Sequence, residues 1–449
     1  MPIVIADELK DKLTDAATVA ASVKDTMAEQ DKKLARYQKL DDYYQGKHAI
    51  LKRQMRPGLP NHKNVHNFAK YITVMATGYL IGKPVTYHIP DESGLDVLLE
   101  QYQRADIAYI DTELAKDCSV FGLGHELIYT DETGKPKSAV IDPRNSYLCV
   151  SDDIEKSPIM GVYYYLVAGR EKIYMVNAYT DTYSFVFSSK DKRNFELVSQ
   201  EPHYFDAVPM VEYQNDEEMQ GDFEQVITLI DAYNLLSSDR LNGREQDIDS
   251  ILAIYGMQAP NENEIKALKD DKILALPADA RAEWLTKLLS EEGHETARKA
   301  LSEDIHKFAF VPDMTDREFA GNASGVAMRY KVIAFEQMTA TKERFFKKGL
   351  RLRMELYGRI LGLHGNREFD TDLIDIKFVR NLPVNESEIA EMVSTLAGMV
   401  SQRTLLTQIP FVENVNAELE GAAQERQERL QLESQLLGGY PGDIIAGRV

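Results

Sequence analysis

The sequence predicts an α+β fold that is mainly helical, with an antiparallel β-rich section in the middle and one very long helix. Three observations carry this. Apolar residues recur at three and four through much of the first and last thirds, the helical period. Between 125 and 214 the pattern changes to short runs rich in Tyr, Val, Ile and Phe separated by turn residues. From Ser324 to about Leu361, 38 residues read as a single rod, about 57 Å long at 1.5 Å per residue.

In chain order, residues 1–56 are charged and rich in Ala, Lys and Glu, and "AEQDKKLARYQKLDDYY" (28–44) reads as a solvated helix. After the turn "RPGLPN", Phe68, Ile72, Met75, Ala76, Tyr79 and Leu80 mark a second helix. Gly82 and Pro84 stop it, and "VTYHI" reads as a short strand. Another helix covers about 94–122. The runs "HELIYT", "SAVID", "YLCV", "GVYYYLVA", "KIYMVNAYT", "YSFVF", "FELVS" and "VPMVEY" then predict one hairpin-rich antiparallel sheet, with the tyrosines at 163–165 packed on its face.

Residues 222–256 return to helix, interrupted near Ser237–Ser238 and with Gly243 as a candidate bend. This stretch holds seven acids, Asp239, Glu245, Asp247 and Asp249 among them, against two arginines. Residues 257–290 are short and mixed, with "KILAL" as a strand, and 291–310 form a further helix. "VPDMTDREFAGNAS" (311–324) is longer than packing two helices requires, which marks it as functional. Asn322 or Ser324 is placed to cap the rod that follows. Short helices split by Pro410 and a charged tail end the sequence.

Net charge is −20 over 449 residues, yet Asn322–Leu361 carries nine Lys/Arg against three Glu. At 100° per residue, Arg344, Lys347, Lys348, Arg351 and Arg359 share an arc of roughly 120°, with Phe345, Leu352, Leu356 and Ile360 beside it. The overall acidity argues against passive nucleic-acid binding, which needs Lys/Arg to displace counterions from phosphates. It leaves open a surface that a polyanion passes without sticking.

Two cysteines, Cys118 and Cys149, make no disulfide framework and read as buried thiols in a reducing cytoplasm. The first residues lack the pattern of a signal peptide, and no apolar run reaches the ~18 residues of a membrane span. The expectation is a protein that is soluble and intracellular when made. Catalytic motifs fare poorly. "GYLIGKP" has three residues between its glycines and Pro84 where a phosphate loop needs Ser or Thr. "FGLGHE" lacks the third glycine of a dinucleotide loop. His62 and His66 lack nearby further ligands, and the acidic pairs Asp152–Asp153 and Asp247/Asp249 read as solvated charge. No catalytic residue, metal or cofactor is expected.

Three segments resemble one family: "NFAKYITVMATGYLIGKPVTY" (67–87), "VPMVEYQNDEEMQGDFEQVITLIDAYN" (208–234) and "DIHKFAFVPDMTDREFAGNASGVAMRYKVIAFEQMTATKERFFKKGL" (304–350), with a weaker fourth at 404–420. The family is the portal proteins of tailed double-stranded DNA bacteriophages, in the siphophage subgroup typical of Gram-positive hosts. The resemblance implies a ring, usually of twelve copies, at one capsid vertex. It implies a wing (1–221, β-rich over 125–214), stem helices (222–256 and 291–310) and a clip (257–290). A tunnel loop (311–323), a long wing helix and its return (324–383), and a crown with tail (384–449) complete the set.

Packaging and ejection of double-stranded DNA, without sequence specificity, would pass through the channel. The implied partners are other copies of the chain, the terminase large subunit, a head–tail adaptor, and the major capsid and scaffolding proteins, with no membrane. The implied location is the virion's head–tail connector, after synthesis in the host bacterial cytoplasm. Asp313, Thr315, Asp316, Arg317, Phe319 and Asn322 would meet DNA in the tunnel loop. The acids of 222–256 would repel phosphates, and the basic arc would meet acids of a neighbouring copy, or else DNA. The readings from other classes are a nucleic-acid-processing enzyme with an unrecognised metal site, and an oligomeric scaffold independent of DNA.

Overall fold

Helices and strands alternate in blocks along a computed structural model that describes residues 2–88, 95–169, 172–248, 251–256, 261–262, 279–285, 291–314, 325–365, 371–380, 386–406, 409, 412 and 415–437. Thr315, Asp316, Arg317, Phe319, Asn322, Ser324, Asp249 and the "KILAL" run lie outside the described residues. The chain divides into two units, one of 1–316 with 331–381 and one of 317–330 with 382–449.

The helices are α1 (Ala16–Tyr44), α2 (Phe68–Ile81), α3 (Leu95–Arg104), α4 (Ile107–Phe121), α5 (Ile227–Ile248), α6 (Glu291–Phe308), α7 (Gly325–Leu363), α8 (Glu386–Leu396), α9 (Gln402–Leu406) and α10 (Val415–Leu437). The strands are β1 (Ile3–Ile5), β2 (Thr86–His88), β3 (Leu123–Thr130), β4 (Pro136–Ile141), β5 (Ser146–Ser151), β6 (Pro158–Val167) and β7 (Ile173–Tyr179). After them come β8 (Tyr183–Ser189), β9 (Glu196–Pro202), β10 (Met210–Gln214), β11 (Ile251–Tyr255), β12 (Arg281–Leu285) and β13 (Asp375–Lys377).

All eight expected runs between 125 and 214 are strands, but they form two sheets rather than one. The larger has six strands in the order β1-β5-β6-β7-β8-β9, and the smaller is β10-β3-β4. The amino-terminal strand β1 joins the larger sheet parallel to β5, with Ile3 opposite Cys149. Hairpin patterning cannot announce such a pairing, because its partner lies more than a hundred residues away. Tyr164 is buried, whereas Tyr163 stacks with Tyr165 and Tyr179 on the other face, each with centroids 6.2 Å apart.

The amino-terminal helix is also more than a solvated rod. Asp15 caps α1 by accepting from the Thr18 N–H at 2.9 Å, and Val19, Val23 and Met27 form a stripe at i, i+4 and i+8. That stripe packs with Ile159, Val162, Val176 and Phe185 of the larger sheet. Each such side chain contributes about 1.5–3 kcal/mol by leaving water. The helix expected over 94–122 is two, α3 and α4, because Asp106 takes a left-handed φ of 52° between them. Gly122, at φ 88°, ends α4; a Cβ there would lie 1.9 Å from the Met219 carbonyl oxygen.

A second core joins α3, α4, the smaller sheet and α7 through Leu98, Leu114, Val211, Tyr213, Phe346, Leu350 and Tyr357. Gly349 lets α7 lie close against β10, since a Cβ there would fall 2.5 Å from the Tyr213 ring. The rod ends within two residues of its expected limits. The helix expected over 222–256 stops at Ile248, and Ile251–Tyr255 is instead a strand paired antiparallel with Arg281–Leu285. In the second unit, α8, α9 and α10 reproduce the expected short helices on either side of Pro410.

Candidate functional site

Three neighbourhoods contain the residues singled out by sequence: the acids of α5, the root of the loop that begins at Val311, and the two faces of α7.

Along α5, Asn234, Ser238 and Asn242 repeat every fourth residue. Their side-chain oxygens accept from the backbone N–H groups of His66 (2.7 Å), Asn64 (3.0 Å) and His62 (2.8 Å). Two residues of extended chain advance about 6.6 Å and four of helix about 6.0 Å, so the two repeats stay in step. This ladder accounts for the helix running on through Ser238, which also donates to the Asn234 carbonyl at 2.8 Å. It lays the 53–66 segment along α5 and brings partners to its acids.

Partners from this segment and from other elements correct the picture of an unbroken repulsive wall over residues 222–248. Asp222 is buried, taking hydrogen bonds from Ser119 (2.6 Å) and Asn215 (2.8 Å) and an ion pair from Lys342. Glu224 binds Arg36 through both oxygens, and Asp231 accepts from the Tyr43 hydroxyl at 2.7 Å. Asp239 pairs with Arg53 at 2.6 Å and Glu245 with His62 at 2.7 Å. Only these last two remain substantially exposed while paired, their side chains 43% and 54% open to solvent. The structure describes Asp247 by its backbone alone. Among the described residues, no group of three or more His, Cys, Asp or Glu side chains is arranged to hold a metal ion.

Helix α6 runs antiparallel to α5. Arg298 meets the Tyr233 hydroxyl (2.9 Å), Arg240 meets Glu295 (3.1 Å) and Glu291 (2.7 Å), and Arg244 meets Glu291 (2.7 Å), in descending register. Both arginines of the acidic stretch are therefore spent on the helix pair.

The loop root is clamped. Val311 is fully buried, and its carbonyl oxygen lies 2.9 Å from His306 Nδ1. The Tyr71 hydroxyl donates to the Pro312 carbonyl at 3.2 Å and accepts from the Met314 N–H at 3.0 Å. Tyr71 and Phe68 both stand edge-on to the His306 ring, at 5.5 and 5.8 Å. Burial raises the Tyr71 pKa, with the carboxylate of Asp313 adding to it, so the hydroxyl keeps the proton this bridge uses. Asp313 itself lies 3.9 Å from His306 Nε2. No sequence signal marked Tyr71 or His306, because each acts on a chain segment that its own helix period does not reveal.

On α7 the expected basic arc is real but unevenly used. Lys347 pairs with Glu343 at 2.7 Å, and Arg359 donates to the carbonyls of Phe205 (3.0 Å) and Asp206 (2.7 Å). Lys348 lines a groove with Phe345, Leu352, Glu155, Glu212 and Glu217 of the same chain. Arg344 and Arg351 make no ion pair or hydrogen bond among the described residues. About half a turn away lie two cations that the sequence reading passed over. Lys342 holds Asp222, and Arg353, fully buried, binds Glu126 (2.8 Å) and Asp111 (2.5 Å). Burial works against the Arg353 charge, and the two carboxylates outweigh it and hold the guanidinium pKa up. A helical wheel places Arg353 among Leu350, Met354 and Tyr357, which is the signal that would have found it.

The portal protein of Bacillus phage SPP1 is 22% identical over 402 residues, spanning 85% of this chain and 80% of that one. The portal protein of Clostridium phage phiCD119 is 25% identical over 429 residues, spanning 87% and 90%. Among solved structures, the neck of an empty gene transfer agent particle, computed with C6 symmetry, aligns with 77% of this chain and 90% of its own, at 15% identity and a TM-score of 0.47. A neck of the native particle, computed with C12 symmetry, aligns with 76% and 89%, at 15% identity and a TM-score of 0.45. The family described as phage portal protein, SPP1 Gp6-like, matches residues 24–432, and the chain belongs to that family.

Proposed function

We propose that copies of this chain close into a ring, of twelve by the family's habit, at one capsid vertex, and that double-stranded DNA is packaged and later ejected through its bore. The match to the portal family over residues 24–432 carries this reading. The family is structural, so packaging energy comes from a separate ATPase. The terminase large subunit, a head–tail adaptor, and the capsid and scaffolding proteins are the proposed partners.

Unburied apolar side chains support self-association. Leu235 on α5, Phe308 on α6, the neighbouring Phe310 and Ile333 on α7 stay exposed within one copy, at 45%, 50%, 45% and 54%. A head-to-tail ring needs two different complementary faces, and such residues fit one of them. In regional terms, 1–221 is the wing, α5 and α6 the stem, 324–383 the long helix with its return, and 384–449 the crown. The β11–β12 pair favours starting the clip near 251 rather than 257.

The loop 311–323 is the proposed collar around DNA. Its clamped root suits a projection that must bear load while its tip, with Asp313, Thr315, Asp316, Arg317, Phe319 and Asn322, meets the duplex. The bore's negative charge then rests on Asp239, Glu245, Asp247 and Asp249 rather than on all seven acids.

Deleting residues 317–320 tests the assignment. Rings with a central hole should still be seen end-on by negative stain, while DNA packaging or retention falls. A normal yield of filled heads would remove the loop from this role, and monomers of the unaltered chain under the same conditions would remove the ring.

A further inference from the structure

Two cavities open along one face of α7, of about 390 Å³ and about 440 Å³. Ala334, Met338 and Thr341 line the first, and Phe345, Lys348 and Leu352 line the second. At 100° per residue these six share an arc of roughly 80° and cover about 27 Å of helix. The segment 212–222 borders both cavities, so the two form the halves of one groove. Phe310 stands at one end of it. Its φ of 58° is left-handed, where glycine would be less strained, yet the chain places an aromatic there and leaves it 45% exposed. Strain of this kind points to a side chain kept for contact.

The rim of the groove is negative. Lys342 is committed to Asp222, which leaves Glu155, Glu212, Asp216 and Glu217 against Lys156 and Lys348 among the lining residues. An occupant therefore needs positive charge on a surface that tolerates an apolar floor.

One surface of the same chain has that chemistry. The solvent face of α1 exposes Ala17, Ala21, Ala28 and Ala35, with Lys24, Lys32 and Lys39 on the same strip of roughly 80°. Asp31 lies beside the strip, and Lys192 already meets it at 3.3 Å. Lys32 reaches Glu29 at 2.6 Å, an exposed pair that holds it weakly. Alanines allow close approach, and lysine stems cover apolar surface while their ammonium groups reach outward to carboxylates.

We propose that α1 of one copy lies in the α7 groove of the next, its alanines over Met338 and Phe345 and its lysines on Glu155 and Glu217. The two surfaces are unlike, so the contact runs head to tail, as a closed ring requires. This rests on the ring reading and adds to it which surfaces meet.

The test is charge reversal in the full chain, read by negative stain and sedimentation. Lys24→Glu with Lys39→Glu should cut the yield of rings at least tenfold, and so should Glu155→Lys with Glu217→Lys. All four positions are exposed, and circular dichroism checks that each variant folds. Mixed in equal amounts, the two variants should recover rings in which they alternate, because the acidic α1 of one then meets the basic groove of the other. Should a variant fold poorly, Ala28→Cys with Thr341→Cys provides a second measurement, in which a flexible bis-maleimide should join copies into a covalent ladder. Full ring yield from either charge variant alone, no rings from the mixture, or no links between copies overturns the proposal and leaves the ring reading intact. An unaltered chain that forms no rings removes both.

Discussion

On one side of α7, Lys342 and Arg353 sit almost wholly out of water, each held by carboxylates from other elements, whereas half a turn away Arg344, Lys348 and Arg351 reach towards solvent. One helix therefore uses the same residue types for opposite purposes. Inside, charge is tied to fixed partners and specifies how α7 docks on α4 and the smaller sheet. Outside, Arg344 and Arg351 meet no ion-pair or hydrogen-bond partner among the described residues, and Lys348 borders a groove. The difference teaches that the positive balance of this helix is two populations, and the outer one is the one proposed to bear on assembly or DNA.

The largest effect should come from Arg353. Replacement by Met strands Asp111 and Glu126 in the core, and a loss of about 3–5 kcal/mol in urea unfolding is expected. Adding Asp111→Asn and Glu126→Gln should restore most of it, because an all-neutral site no longer buries unpaired charge. If the triple variant is no more stable than Arg353→Met, packing rather than charge pairing governs the inner face.

Asp117 on α4 sharpens the comparison as a buried charge whose nearest cation, the half-exposed Lys116, stands 3.8 Å away. Its pKa is raised by burial from 3.8 to about 7, so the folded state binds its proton more tightly than the unfolded state. Stability is therefore lost as pH rises between those values. Asp117→Asn should match the parent near pH 4 and exceed it by on the order of 2–4 kcal/mol at pH 8. An unchanged difference across that window would contradict the burial account.

Lys342→Met comes next. Asp222 keeps its bonds from Ser119 and Asn215, so the expected loss is smaller, about 1.5–3 kcal/mol, the worth of a hydrogen bond to a charged group. The smallest effect on folding belongs to the outer face. Lys347→Glu with Arg351→Glu should move the melting midpoint by only ~2 °C or less. If the arc meets acids of a neighbouring copy, ring formation is impaired; if rings form normally while DNA retention changes, the arc faces DNA.

Much of this was legible in the chain itself. The helix read over 28–44 is the carboxyl-terminal part of α1, and every run singled out from 125 to 214 became a strand. The rod and the length of the loop before it stood out for the same reason: backbone geometry repeats locally, and side-chain character follows it. The site was less legible. Asp239 and Glu245 were picked for their charge, and the segment that brings them Arg53 and His62 announces itself only in the fold.

Most of the order of helices and strands, the acidic balance with its one basic rod, and membership of the portal family follow from the amino-acid sequence, since each is a short-range pattern or a sum over residues. Which charges are exposed was decided only by tertiary structure. Arg353 finds Asp111 and Glu126 from positions 242 and 227 residues away, and β1 finds β5 across the length of α1. Periodicity has no term for such distances. Only closing the chain on itself sets the dielectric and the partners of each charge, and so separates the cations that hold α7 in place from those it offers outward.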